Sequence, residues 1–261
     1  MAKNKIVKIG CASAFWGDTS SAAPQLVYSG NIDYLVFDYL AEVTMSILAG
    51  AKLKNPDMGY ATDFVRHMSP LLSEVKKRGI KVVSNAGGIN PEACRAVVME
   101  EAKKAGLELN IALVKGDNLV NQKKQLQALP VTELETGQTM PDGITSINAY
   151  LGATGIQHAL NEGADMVITG RCVDSAVVLG PLMHEFGWTA QDYDLLAAGS
   201  LAGHIIECGA QCTGGNFTDW HLVDNFDDMG FPIVEVESNG NFIVTKPNGT
   251  GGIVSFGSVA E

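Results

Sequence analysis

Basic residues are scarce in this chain. Eighteen Lys and Arg stand against 29 Asp and Glu, a net charge of -11. Contact with a phosphate backbone needs a basic face, so nucleic acid is not an expected partner. Long apolar runs are missing too. None approaches the roughly 20 residues that a membrane-spanning helix requires, so no membrane insertion is expected. No GxGxxG opens a helix after the first strand, which leaves out the dinucleotide fingerprint. GxxxxGK[ST] is absent, so the P-loop is excluded. No GxSxG elbow and no CxxC occur. The five cysteines are an odd number and form no paired framework. With no signal-peptide-like apolar segment at the N-terminus, they point to a reducing cytoplasm.

What remains is an ordinary globular composition, 46% hydrophobic and 18% charged, over 261 residues. Short apolar runs at residues 5–10, 33–37, 81–84, 109–114 and 165–169 read as buried strands. Amphipathic stretches separate them, including 62–78, where Pro70 implies a kink or two shorter helices. Residues 118–129 read as a polar helix. Residues 130–148 lack periodicity, and a loop of that length in a compact domain is usually functional or mobile. Strands alternating with helices imply a mostly parallel, doubly wound open sheet, hence an α/β fold. Residues 231–237 and 241–245, joined by Ser-Asn-Gly, read as a β-hairpin that extends the sheet or starts a subdomain. The expected division is an α/β domain over 1–230, then the hairpin and the start of a further element over 231–261.

Residues 164–220 carry the densest chemistry. A strand ending in Gly-Arg-Cys-Val-Asp sets Arg171 and Asp174 beyond its carboxyl end, where ligands bind in open α/β sheets. Asp38, Asn85 and Asp117 hold the equivalent places after other strands. Gly87 and Gly88 would allow a ligand close to the backbone. The loop with Asp18 and Ser20 suits helix capping or anion binding. Farther on, His204, Glu207, Cys208, Cys212, Gly214 and Gly215 crowd together. The candidate catalytic set is therefore Arg171, Asp174, Glu207, Cys208 and Asp38. The candidate substrate-binding set is Asp18, Ser20, Asn85, Gly87, Gly88, Asp117, Gly214 and Gly215. Gly209, Gly214 and Gly215 would turn the chain back toward Arg171 and offer free amides to an anion.

Each assignment has a plainer counterpart. Asp174 could cap its helix while pairing with Arg171. Cys208 and Cys212 could be packed small hydrophobes. His204, Glu207, Cys208, Cys212 and His221 are metal-ligand types, but their spacing matches no finger or HExxH pattern, so no metal site is assigned and no cofactor is identified. A thiol nucleophile with His204 as base is the alternative to Glu207 as general base.

ITGRCVDSAVVLGPLMHEFGW, GHIIECGAQCTGG, DYLVFDYLAEVTM and SNAGGINP together resemble the acyclic terpene utilisation (AtuA-like) family across nearly the whole chain. The resemblance implies bacterial catabolism of citronellol- and geraniol-type compounds through acyl-CoA thioesters. It assigns no catalytic residue. Members of that family continue well past the GTGG stretch, so a C-terminal portion beyond Glu261 is expected, and either it or a homo-oligomer would complete the site. The expected protein is a cytoplasmic hydrolase or lyase type of enzyme acting on a small anionic molecule such as an acyl-CoA, by hydration, hydrolysis or lyase chemistry. A non-catalytic binding subunit and a metal-dependent hydrolase are the alternatives.

Overall fold

The computed structural model describes residues 5–261. Its frame is one seven-stranded sheet in the order β4-β5-β3-β2-β1-β6-β7. The strands are β1 (Ile6–Cys11), β2 (Tyr34–Phe37), β3 (Lys81–Ser84), β4 (Ile111–Val114), β5 (Met166–Thr169), β6 (Ile233–Glu237) and β7 (Phe242–Thr245). Strands β1 to β5 pair in parallel. The β6–β7 hairpin adds antiparallel to β1, so it extends the same sheet.

Side-chain alternation along the strands separates two cores. Leu35, Phe37, Val82, Met166 and Ile168 face one, and Tyr34, Val36, Val83 and Val167 face the other. The first core is covered by α1 (Ala22–Ser29), α2 (Glu42–Lys54), α3 (Thr62–Met68), α4 (Leu72–Arg78) and α5 (Pro91–Lys104). The second is covered by α7 (Thr154–Asn161), α8 (Ala176–Phe186) and α9 (Tyr193–Glu207). Both faces are buried, which is why the strands are runs of Val, Ile and Leu rather than half-polar alternations. Steps from β1 through β3 run one way across the sheet with helices on one face. The step from β4 back to β5 reverses, and α7 lies on the opposite face, as a constant crossover hand demands.

Pro70 divides the 62–78 stretch as its ring geometry requires, with a 3₁₀ turn at Ser69–Leu71 between α3 and α4. The expected helix over 118–129 shrinks to a 3₁₀ turn and α6 (Lys123–Gln127). Its opening residues are drawn elsewhere. Leu119 N–H donates to Ile147 O, and Asn118 bridges Asn148. Residues 130–148 form an irregular excursion with an isolated Thr132–Thr139 bridge besides the Asn118–Asn148 one. Among the described residues, no helix is long and apolar enough to cross a membrane.

Candidate functional site

Adjacent strands β3 and β5 send their following helices, α5 and α8, to opposite faces. That reversal leaves a crevice at the strands' carboxyl ends. Phe37 and Ser84 pair as the last residues of β2 and β3, so Asp38 and Asn85 follow them side by side. Asn85 Nδ2 donates to Asp38 Oδ1 at 2.6 Å, and Asn85 Oδ1 accepts from Tyr39 N–H at 2.8 Å. Leu40 N–H also donates to Asp38 Oδ1, at 3.2 Å. Both side chains are buried.

Arg171 enters from the loop after β5 and is only 4% exposed. Its Nη1 donates to Asp174 Oδ1 at 2.6 Å and to Cys172 O at 2.9 Å. Its main-chain N–H donates to Asp117 Oδ2 at 2.9 Å, and Asn148 Nδ2 donates to the same oxygen at 2.8 Å. The Tyr150 ring stacks over the guanidinium, 4.1 Å from its carbon. The Tyr150 hydroxyl meets Glu42, whose carboxylate lies 3.7 Å from Arg171 Nη2. Burial works against the charge on Arg171, but Asp174 and Tyr150 outweigh it and hold the guanidinium protonated. Tyr150 and Asn148 are carried by the end of the 115–153 connection, which is laced to the β5 loop through Leu151 N–H to Arg171 O and Val173 N–H to Leu151 O.

Glu207 arrives from the end of α9. Gly203, one turn earlier, lets that helix lie against the chain before α8; a Cβ there would stand 2.8 Å from Ser175 O and 2.9 Å from Ser175 Cα. This approach brings Glu207 to Asp174. Asp38, Asp174 and Glu207 each place a carboxylate oxygen within 4.8 Å of the others. Like charges so close cannot all ionise freely. Burial, then the Asp174 and Glu207 charges, push Asp38 up to about 7 against the opposing Asn85 and Leu40 hydrogen bonds. Burial and Asp174 push Glu207 up as well, with His204 Nδ1 3.1 Å from Glu207 Oε1 acting the other way. Two chemistries suit such a cluster. Protons can neutralise it, making a poised acid–base group. A divalent cation can also do so, because two oxygens at roughly 2.4 Å from one ion stand no more than about 4.8 Å apart.

The structure thus gathers Asp38, Asn85, Asp117, Arg171, Asp174 and Glu207. Cys208 is exposed at the rim, and burial of its sulfur with the nearby Glu207 charge pushes its thiol up, the opposite of an activated nucleophile. Burial pushes Cys172 and Cys212 up to about 12, which suits packed thiols. Asp18 closes its own loop, accepting from Ala14 N–H and Thr19 N–H, and Ser20 is exposed beside it. At Gly87 the position of a side chain is filled by Thr169 O and Pro91, and at Gly88 by Leu48 and Gly59 O. Gly88 nevertheless borders a polar cavity of about 390 Å³ that also meets Lys52, Lys115, Asn118 and Asp117.

The 209–216 loop is a correction. Its amides are not free for an anion: Gly214 N–H donates to Gln211 O and Gly215 N–H to Ala210 O. Gly209 packs on Phe231 and Ala14, and Gly214 on Val223 and Ile253, rather than on Arg171. These glycines turn the chain. Sequence reasoning also passed over Tyr150 and Asn148, because they sit in a stretch without periodicity.

No curated protein matches the chain, and no solved structure matches it. A family described as "Acyclic terpene utilisation family protein AtuA" matches residues 7–261. The chain therefore belongs to the acyclic terpene utilisation (AtuA) family.

Proposed function

We propose that the protein is an acid–base enzyme of acyclic terpene catabolism, acting on an acyl-CoA thioester or a related intermediate by hydration, hydrolysis or lyase chemistry. The observation that carries this reading is the approach of Asp38, Asp174 and Glu207 at the sheet's switch point. Asp38, with a proton affinity near neutrality, is the general base. Glu207 holds the second mobile proton, and Arg171 offsets the remaining charge while its stack with Tyr150 keeps water from that side. Free anions are poorly matched to the cluster itself, where Asp38, Asp174, Glu207 and Glu42 surround one guanidinium. For the anionic portion of a CoA thioester the candidate place is the separate cavity bordered by Lys52 and Lys115, where the Lys115–Glu92 pair would have to open and Asp117 also lines the wall.

The test is incubation of purified protein with acyl-CoA thioesters of branched C5 to C10 acids, with products identified by mass spectrometry. A discrete product, made about a hundredfold more slowly by Asp38→Asn and Glu207→Gln, supports the reading. Calorimetric binding without any product makes the protein a binding subunit instead. The same triad also favours a metal-dependent hydrolase reading, since its oxygens fit one divalent ion. Loss of turnover on chelation, with restoration by a stoichiometric divalent ion, would select that version.

A further inference from the structure

Helix α2 is apolar on two sides. Met45, Leu48 and Ala49 face the first core, and Lys52 turns its ammonium to Ile89 O at 2.7 Å. The opposite side carries Val43, Ile47, Gly50 and Lys54, whose 4-3-4 spacing stacks them along one line of the helix. Val43 is 71% exposed and Ile47 54%, and Leu53 on the flank is 70% exposed. A Cβ on Gly50 would meet nothing within 4 Å. A helix with apolar residues all round is ordinarily buried all round. Here the outer line stands in solvent. Single exposed apolar residues are common, but an ordered stripe of them marks a contact surface. The remaining charges sit at its two ends, Glu42 in the first turn and Lys54 in the last.

We propose that this stripe is the contact of a homodimer, with two copies of α2 packed antiparallel about a twofold axis. A twofold axis brings a surface onto itself, so the stripe has to complement its own reverse. It does so with the axis between Leu48 and Ala49. Positions 47 and 50 then come level across the axis, and so do 43 and 54. Ile47 of each chain sits over Gly50 of the other, where the missing side chain lets the helices approach closely. The partner's Lys54 comes level with Val43, within reach of Glu42, and the reverse holds at the other end. Opposite charges therefore meet twice. A parallel pair would instead set Glu42 against Glu42 and Lys54 against Lys54. Glu42 is also the carboxylate that lies 3.7 Å from Arg171 Nη2 and meets the Tyr150 hydroxyl, so the partner's Lys54 is brought to the edge of the candidate site. Such a dimer forms whether or not the acidic cluster is catalytic. A 13-residue helix is about 20 Å long, which puts the contact at the small end of specific interfaces and the expected dissociation constant at about 10–100 µM.

Sedimentation velocity of the purified chain from about 1 to 200 µM should show its mass rising from one chain toward two. Gly50→Glu should hold it at one chain throughout, because each new carboxylate would meet Ile47 of the other copy and both would stand near the axis. Its thermal midpoint should be unchanged or higher, since glutamate is a better helix former than glycine and has open space there. Lys54→Glu and Glu42→Lys should each associate about tenfold more weakly when alone, because each sets like charges together at both ends. An equimolar mixture of these two variants should recover association, since every end then pairs a glutamate with a lysine. A chain that stays single at the highest concentration overturns the dimer and leaves the stripe to a different occupant. A dimer that Gly50→Glu leaves intact places the contact elsewhere and overturns it too. So does a mixture that associates no better than its components.

Discussion

Asn85 and Asp38, 47 positions apart, lock together where two parallel strands end. One amide donates to the carboxylate at 2.6 Å while its oxygen accepts the next residue's N–H. The clamp is the chief interaction that holds the Asp38 proton affinity down against burial. Asn85→Ala should therefore raise the apparent pKa that governs turnover above its value near 7, moving the activity profile to higher pH. The loss of a fully buried pair should also cost about 1–3 kcal/mol of stability. An unshifted pH profile in a folded variant would separate Asn85 from Asp38 function.

Asp38 itself makes stability depend on pH. Its folded affinity for a proton, near 7, exceeds its ordinary value of 3.8. The native state thus binds more protons than the unfolded state between about pH 4 and 7, and this group's contribution falls as pH rises through that window. Above it the full penalty is present, up to about 4 kcal/mol. Asp38→Asn should remove the penalty, so the variant should gain stability relative to the unaltered protein as pH is raised from 4 to 7.5. Denaturant titrations across that range measure the difference; parallel curves would contradict the raised affinity. The same ionisation predicts that turnover rises with pH up to about 7 and then levels.

Gly203 governs how closely α9 approaches the chain before α8. A methyl group at that position meets Ser175 backbone atoms, which have little room to move. Gly203→Ala should cost about 1–3 kcal/mol by overpacking and draw Glu207 away from Asp174, lowering turnover with it. Gly152→Ala, where a Cβ has nothing within 4 Å, is the matched control and should leave both unchanged. Normal turnover in Gly203→Ala would mean that Glu207 does not depend on this seam.

Tyr39 presents a different kind of group. Its ring packs against Phe37 and Phe64, and the residue is 1% exposed, yet its hydroxyl makes no well-formed hydrogen bond among the described residues, with the Ser13 side chain its polar neighbour. A buried polar group left unmatched is destabilising. Tyr39→Phe should keep the packing and leave the thermal midpoint unchanged or raised. A drop of several degrees would show that the hydroxyl is satisfied in solution.

Asp38, Asn85, Asp117 and Arg171 were legible because each follows an apolar run that could only be a strand, and parallel strands put such residues on one edge. The two buried faces were legible for the same reason: strands rich in Val, Ile and Leu with helical stretches between them have few other ways to bury themselves. The hairpin's own turn was readable, but its place beside β1 was not. Turn chemistry is local and strand pairing is not. The sequence set Glu207 in one candidate group with Asp38 and Asp174, but the route by which it reaches them belonged to tertiary structure alone. It depends on the seating of α9 through Gly203 against Ser175, a contact no periodicity records. Tyr150 over Arg171 was hidden likewise, in a connection whose shape is set by what it touches. Burial then decided the chemistry. A carboxylate written in a sequence has its ordinary proton affinity, and only the low-dielectric crevice with two further carboxylates moves Asp38 to about 7.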